Sequence, residues 1–322
     1  MCTAVSVITG DHYFGRNLDY EVTFGEKICI TPRNFTFEFT NGKNLTNHYA
    51  IMGVAVNESI PLYFDGINEK GLSVAALNFP HNAHYFKPIQ GKDNIASFEL
   101  IPWILSQCAN VESTRRILEN INITDKSFAE NMPPSPLHWI IADKGECIIL
   151  EQTKEGTKIF ENPVGVLTNS PKFDIQLFNM NNYLYLSAEE PNNTFSDKIS
   201  LSPYSRGMGA TGLPGDNGSM SRFIRASFVK LNSEFSGEEN DKVNQFFHIL
   251  YSVHQQRGCV KINGKNEITN YAVCANADKG IYYFTTYDNF TVHSVCMNKE
   301  NLDASTPIYY ELYNQNKIIS LN

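Results

Sequence analysis

Cys2 directly follows the initiator residue in Met1-Cys2-Thr3-Ala4, a position that gives a thiol special chemistry. A small second residue allows the methionine to be trimmed. A sulfur nucleophile and an α-amine able to carry its proton then share one residue. The two groups ordinarily titrate near ~8.5 and ~8, so both exchange protons close to neutrality. An N-terminal nucleophile activated by its own amine is a route to covalent acyl transfer. Two more residues join it through a turn. The β-rich run from Thr3 to Ile8 meets Gly10-Asp11, and the chain resumes as Tyr13-Phe14-Gly15-Arg16-Asn17-Leu18-Asp19. Apolar runs on both sides of a Gly-Asp turn predict a hairpin whose second strand returns past Cys2. Arg16 would favour the thiolate there, and Asp19 would accept a hydrogen bond from the amine or thiol. The alternative is a surface ion pair of little energetic weight.

The composition suits a soluble enzyme with a sizeable core: 322 residues, 42% hydrophobic. No apolar run approaches the ~20 residues of a membrane span, and no basic region precedes an apolar stretch at the N-terminus. A net charge of −8 without a basic stripe argues against nucleic acid as a partner. Seven cysteines, irregularly spaced and without a Cys-x-x-Cys pair, fit a reducing compartment better than a disulfide framework or zinc. A cytoplasmic protein is therefore expected. The histidines show no ligand spacing, so no metal is expected.

The elements around the hairpin read as follows. Phe35, Phe37 and Phe39 alternate with polar residues, as in a half-buried strand. Residues 49–56 and 72–79 are largely apolar and read as strands buried on both faces. Ser97 is placed to cap a helix over 98–108, and Asn110 one over 111–121. Strand signals return at 138–142, 147–152, 158–160 and 164–168. A short helix is predicted over 173–181 and longer ones over 221–231 and 242–255. Closing strands are expected at 271–275, 281–286 and 291–295. Residues 187–218 are polar and Gly-rich, long enough for a functional or interface loop. Strands, helices, strands, helices, strands is an α+β order with two sheets and outer helices.

Further groups stand in a fixed order: Asn68-Glu69-Lys70-Gly71-Leu72, Leu77-Asn78-Phe79, Leu167-Thr168-Asn169-Ser170-Pro171, Gly212-Leu213-Pro214-Gly215-Asp216 and Ser221-Arg222-Phe223. With the N-terminal motifs they resemble the choloylglycine hydrolases, that is, bile salt hydrolases and penicillin V acylases, of the N-terminal-nucleophile superfamily. The ordered set spans essentially the whole chain and is specific, although each motif alone is weak. The resemblance implies one domain over 1–322, a four-layer αββα sandwich and Cys2 at the edge of the sheets. It implies an acyl-enzyme on Cys2, with Arg16, Asp19 and Arg222 around the nucleophile. Asn169 and Asn78 are the implied oxyanion donors. Asn169 could otherwise be simple turn chemistry and Asn78 could have a structural partner. No cofactor is implied.

The same resemblance suggests Leu18, Phe24, Phe64, Leu137 and the 128–137 loop as walls of an apolar acyl pocket. It implies conjugated bile acids as substrates, with penicillin V the nearest alternative. Asn78 favours the first, since penicillin V acylases often carry Tyr there. Aminolysis of the same thioester would make the enzyme a bile acid acyltransferase. A homotetramer is implied, with 187–218 at the interface. Arg206, in Ser205-Arg206-Gly207, is expected to meet the carboxylate of a glycine conjugate, which suits a bidentate guanidinium. Ala76 stands where many relatives carry glycine, and a positive φ there would strain it.

Overall fold

The N-terminal hairpin forms as the sequence predicts. Strands β1 (Cys2–Thr9) and β2 (Asp11–Tyr20) pair antiparallel, and Gly10 makes the turn at a φ of 77°. In this computed structural model, which describes residues 1–322, four strands follow: β3 (Lys27–Thr31), β4 (Ile51–Val56), β5 (Leu62–Asn68) and β6 (Ser73–Asn78). Helices α1 (Leu100–Gln107) and α2 (Val111–Leu118) come next. Then come β7 (Leu137–Ala142), β8 (Cys147–Thr153), β9 (Gly156–Glu161) and β10 (Val166–Leu167). Helices α3 (Phe173–Asn179), α4 (Ser219–Asn232) and α5 (Glu239–Tyr251) lead to β11 (Ile268–Asn276), β12 (Ile281–Thr286), β13 (Asn289–Cys296) and β14 (Ile308–Glu311).

One sheet has six strands in the order β10-β1-β2-β11-β12-β13. The other has eight, in the order β9-β8-β7-β6-β5-β4-β3-β14. Side-chain alternation sends each strand's residues to two different layers. Ala75 and Leu77 join a 40-residue core with Ala4, Val273 and the α4 and α5 residues Phe223 and Phe246. Val74 and Ala76 join a 24-residue core with Trp103 and Leu118 of α1 and α2. Helices therefore close the outer face of each sheet, and the architecture is the expected α+β sandwich of four layers, αββα. No helix is long and apolar enough to cross a membrane.

Several local expectations are corrected. Helix α2 stops at Leu118, and Ile121–Thr124 forms a strand parallel to Asp93–Ala96. Ile121, Ile123 and Thr124 are β-branched, which favours that outcome. Asn110 does cap α2, its Oδ1 accepting from the Ser113 N–H at 2.9 Å. Ser97 does not cap α1; it lies in a 3-10 turn, and the Glu99 carboxylate accepts from Ala96 N–H instead. The phenylalanine strand shrinks to Phe37–Glu38, paired with Asn44–Leu45. Helices α4 and α5 start before their apolar patterns do, and α5 ends at Tyr251. Strand β14, absent from the sequence reading, extends the eight-stranded sheet beyond β3. Ala76 is unstrained: it sits in β6, outside the positive-φ residues.

Candidate active site

The register of the hairpin decides what surrounds Cys2. Cys2 lies opposite Leu18 and Ala4 opposite Arg16, so Arg16 is diagonal to Cys2 on the same face. Cys2 is buried, and Arg16 is fully buried. Asp19 projects to the other face, where β11 places Thr269 opposite it. The Cys2 side chain and the Asp19 carboxylate thus lie on opposite faces of the hairpin. Neither Arg16 nor Asp19 is a surface pair, which disposes of that alternative.

Arg16 is fixed by acceptors. Its Nη1 donates to Ala76 O at 2.6 Å and to Phe64 O at 3.0 Å, and its Nε lies 3.9 Å from Asp65 Oδ2. Burial alone would lower the Arg16 pKa, but Cys2, Tyr271, Asp65 and Asp19 together raise it. Asp65 accepts from the hydroxyls of Tyr271, at 2.8 Å, and Tyr282. Burial lifts Asp65 to about 6 against the pull of Arg16. On the opposite face, Asp19 Oδ1 accepts from Thr269 Oγ1 at 2.6 Å. Its other oxygen, Oδ2, is buried without a partner. Burial raises the Asp19 pKa, opposed by Arg222 and the chain-terminal ammonium.

Arg222 enters from the first turn of α4 and is fully buried. Its Nη1 donates to Cys2 O and, at 2.7 Å, to Thr3 Oγ1; its Nη2 donates to Asn169 Oδ1 at 2.7 Å. It therefore grips the Cys2 backbone and an amide rather than the sulfur itself, and burial depresses its pKa. Asn169 Oδ1 also accepts from Cys2 N at 2.9 Å. Two donors on that oxygen fix the amide orientation. Asn169 Nδ2 then donates to Asn78 O at 2.7 Å, which leaves its second hydrogen unclaimed. Residue 169 is held further by Ser219 Oγ on its N–H and by Gln176 Nε2 on its carbonyl. The Asn78 backbone oxygen is used in this way, while its residue lines the cavity into which Cys2 opens. These contacts bring five of the six sequence-predicted catalytic residues around Cys2 itself, namely Arg16, Asp19, Asn78, Asn169 and Arg222.

The cavity at Cys2 has a volume of about 260 Å³ and mostly apolar walls. Leu18, Phe24, Phe64 and Leu137 all line it, as expected, with Phe128 and Met132 from the 128–137 loop. Phe24 packs edge-on against Tyr20 at 4.9 Å and lies 5.9 Å from Phe64, making an aromatic rim. A nucleophile, amide donors behind it and an apolar slot in front can attack the carbonyl of an amide that carries a bulky apolar acyl group.

Comparison with known proteins agrees with this chemistry. A family model described as linear amide C–N hydrolases, choloylglycine hydrolase family, matches residues 2–310. The chain belongs to the choloylglycine hydrolase family. It is accordingly a linear amide C–N hydrolase. A protein of Lactiplantibacillus plantarum named bile salt hydrolase/transferase is 50% identical, and the match covers 100% of both chains. One of the same name from Clostridium perfringens is 40% identical over 100% of this chain and 99% of its own. A crystal structure of the C2A mutant of the conjugated bile acid hydrolase from Clostridium perfringens superposes with a TM-score of 0.93 at 39% identity, covering 100% of each chain. Penicillin V acylase from Agrobacterium tumefaciens, at 21% identity and a TM-score of 0.76, shares the fold; it covers 97% of this chain and 92% of its own.

Within this choloylglycine hydrolase, Arg206 stands apart from the other predicted site residues. It is exposed on the 187–218 loop and is not among the residues lining the Cys2 cavity. Sequence reading also missed residues that touch the site's residues. Asp65 and Tyr271 hold Arg16, and Thr269 holds Asp19. Glu267, buried, takes the Met1 ammonium on Oε1 at 2.5 Å, and the Asp19 carbonyl takes it at 2.6 Å. None lies in a motif; only the strand pattern of β11 marked the neighbourhood of Thr269 and Tyr271.

Proposed function

We propose that this enzyme is a bile salt hydrolase that cleaves the amide of glycine- or taurine-conjugated bile acids through a thioester on Cys2. The observation that carries the reading is the Cys2 thiol facing an apolar, aromatic-rimmed cavity while Asn169 and Arg222 bind its backbone. After trimming of Met1, the α-amine of Cys2 lies against Asn169 Oδ1. The thiolate attacks the carbonyl carbon, with Arg16 favouring the anion. Asn169 and Asn78 amide hydrogens stabilise the oxyanion. The C–N bond breaks, and the departing amine takes the proton carried by the α-amine. Water then gives a proton to the α-amine and attacks the thioester, the C–S bond breaks, and the bile acid leaves as the thiolate is restored. An amine in place of water gives acyl transfer from the same intermediate. No step calls for a metal or cofactor. The catalytic domain spans 1–322 and works in the cytoplasm, where its seven free cysteines stay reduced.

A side-by-side assay of glycocholate, taurocholate and penicillin V tests the substrate. The specificity constant for the better bile acid conjugate should exceed that for penicillin V by at least about tenfold, which needs only ~1.4 kcal/mol of differential transition-state binding. The reverse ranking rejects the reading in favour of penicillin V acylase. Glycocholate is expected to be preferred over taurocholate. Arg206→Ala should narrow that preference if the loop guanidinium reaches the carboxylate during catalysis; an unchanged ratio removes Arg206 from the site.

We further propose a homotetramer with residues 187–218 in its interface. That segment carries Phe195 and Tyr204 at 82% and 88% exposure, and Leu184 at 81% lies just before it. Large exposed apolar groups grouped this closely mark an interaction surface. Light scattering should give four times the chain mass; a fully active monomer at assay concentration contradicts this.

A further inference from the structure

The two proposed oxyanion donors come from different elements, Asn78 at the end of β6 and Asn169 just after β10. Asn169 Nδ2 bonds Asn78 O and Ser170 Oγ bonds Pro80 O, and something must hold the two segments in register behind these bonds. We infer that His138 does so, as a positioning residue that locks the two donor-bearing segments to one another. This rests on the roles proposed above for Asn78 and Asn169.

His138 lies on β7, opposite Leu77 in the register that pairs Leu137 with Asn78. It is fully buried. Its ring stacks on Phe79, the residue after Asn78, at 4.2 Å between centroids and 8° between planes. Its Nε2 lies 2.9 Å from the carbonyl oxygen of Thr168, the residue before Asn169. One imidazole therefore touches the neighbour of each donor. A carbonyl oxygen can only accept, so Nε2 carries a hydrogen. Nδ1 faces Glu151 Oε1 at 3.2 Å. Glu151 Oε1 also accepts from the Phe173 N–H at 2.9 Å, which ties the ring to the start of α3. From α3, Gln176 reaches back to the Asn169 carbonyl. The ring thus cannot rotate without breaking contacts on three elements. None of its atoms lines the Cys2 cavity, so it acts on geometry alone.

Positioning of this kind predicts a split that general destabilisation does not. Alkylation of Cys2 by iodoacetamide needs the thiolate but no oxyanion hole; amide hydrolysis needs both. The test compares His138→Gln, His138→Asn and His138→Leu on the best amide substrate in the panel above. A failure of the bile acid reading then changes the substrate and leaves the comparison intact. Glutamine puts its amide nitrogen where Nε2 stood and retains the bond to Thr168. Asparagine mimics Nδ1 and loses that bond. Because displacing an aligned donor by about 1 Å can cost on the order of 100-fold, His138→Asn and His138→Leu should lose about that much kcat, with KM within about twofold. His138→Gln should lose less than about tenfold, since its donor is kept. Alkylation of the N-terminal peptide, followed by mass spectrometry, should proceed at the wild-type rate in all three. Equal kcat for the Gln and Asn variants, or kcat and alkylation falling in parallel, overturns the proposal. Should His138→Leu fail to fold, Phe79→Leu removes the stack and is held to the same split.

Discussion

Replacing Cys2 by alanine should reduce amide hydrolysis to background and leave the fold intact. The side chain makes no hydrogen bond to the protein; the residue's contacts are those of its backbone N–H to Asn169 and its carbonyl to Arg222. Alanine keeps both and removes only sulfur. The cavity wall loses one buried atom, so the melting temperature should move by a few degrees at most. Cys2→Ser should be severely impaired rather than dead, because a hydroxyl is far less acidic than a thiol. Turnover by the alanine variant above that of a no-enzyme control would exclude Cys2 as the nucleophile.

The second large effect falls on Asn169. Its amide carries two proposed jobs at once: Oδ1 receives Cys2 N and Arg222 Nη2, and Nδ2, bonded through one hydrogen to Asn78 O, keeps the other for the proposed oxyanion. Asn169→Ala should lower kcat by about 10²–10³-fold through loss of an oxyanion donor. It should also cost about 1–3 kcal/mol of stability, because a buried guanidinium nitrogen and the Cys2 N–H lose their acceptor. Asn169→Asp separates the two jobs. It keeps the acceptor for Cys2 N and Arg222 and removes the donor, so kcat should fall as far while the stability cost is confined to the lost bond to Asn78 O. If the aspartate variant hydrolyses amides at the wild-type rate, Asn169 is structural.

What the sequence disclosed follows from the range of the interactions. The β1–β2 hairpin was readable because Gly10-Asp11 and the flanking apolar runs are local, and its register then put Arg16 diagonal to Cys2. The Asn110 cap was readable for the same reason. Asn169 and Arg222 were found through ordered motifs, since they stand 53 positions apart and nothing between them forms a pattern that brings them together. Their exact division of labour was not readable. Arg222 was expected beside the thiol, yet it holds the Cys2 carbonyl and Asn169, and Arg16 alone shares the sulfur's face of the hairpin. Asp65, Thr269, Glu267 and His138 reach the site only because two sheets stack and β11 runs beside β2. Alternation of side chains predicts that a strand is buried, not which strand it will face. Ala76 shows the converse: a substitution that invited a strain argument is ordinary strand backbone, and its carbonyl is an anchor for Arg16.

The most direct test of the account is rapid-quench mass spectrometry of the N-terminal peptide during turnover of glycocholate. The account predicts a peptide that begins at Cys2, without Met1, and a transient population bearing a bile acid acyl group on the sulfur. That adduct should be hydroxylamine-labile and should disappear as free bile acid forms. Full activity in protein that retains Met1, or steady turnover with the adduct on another residue, would contradict it.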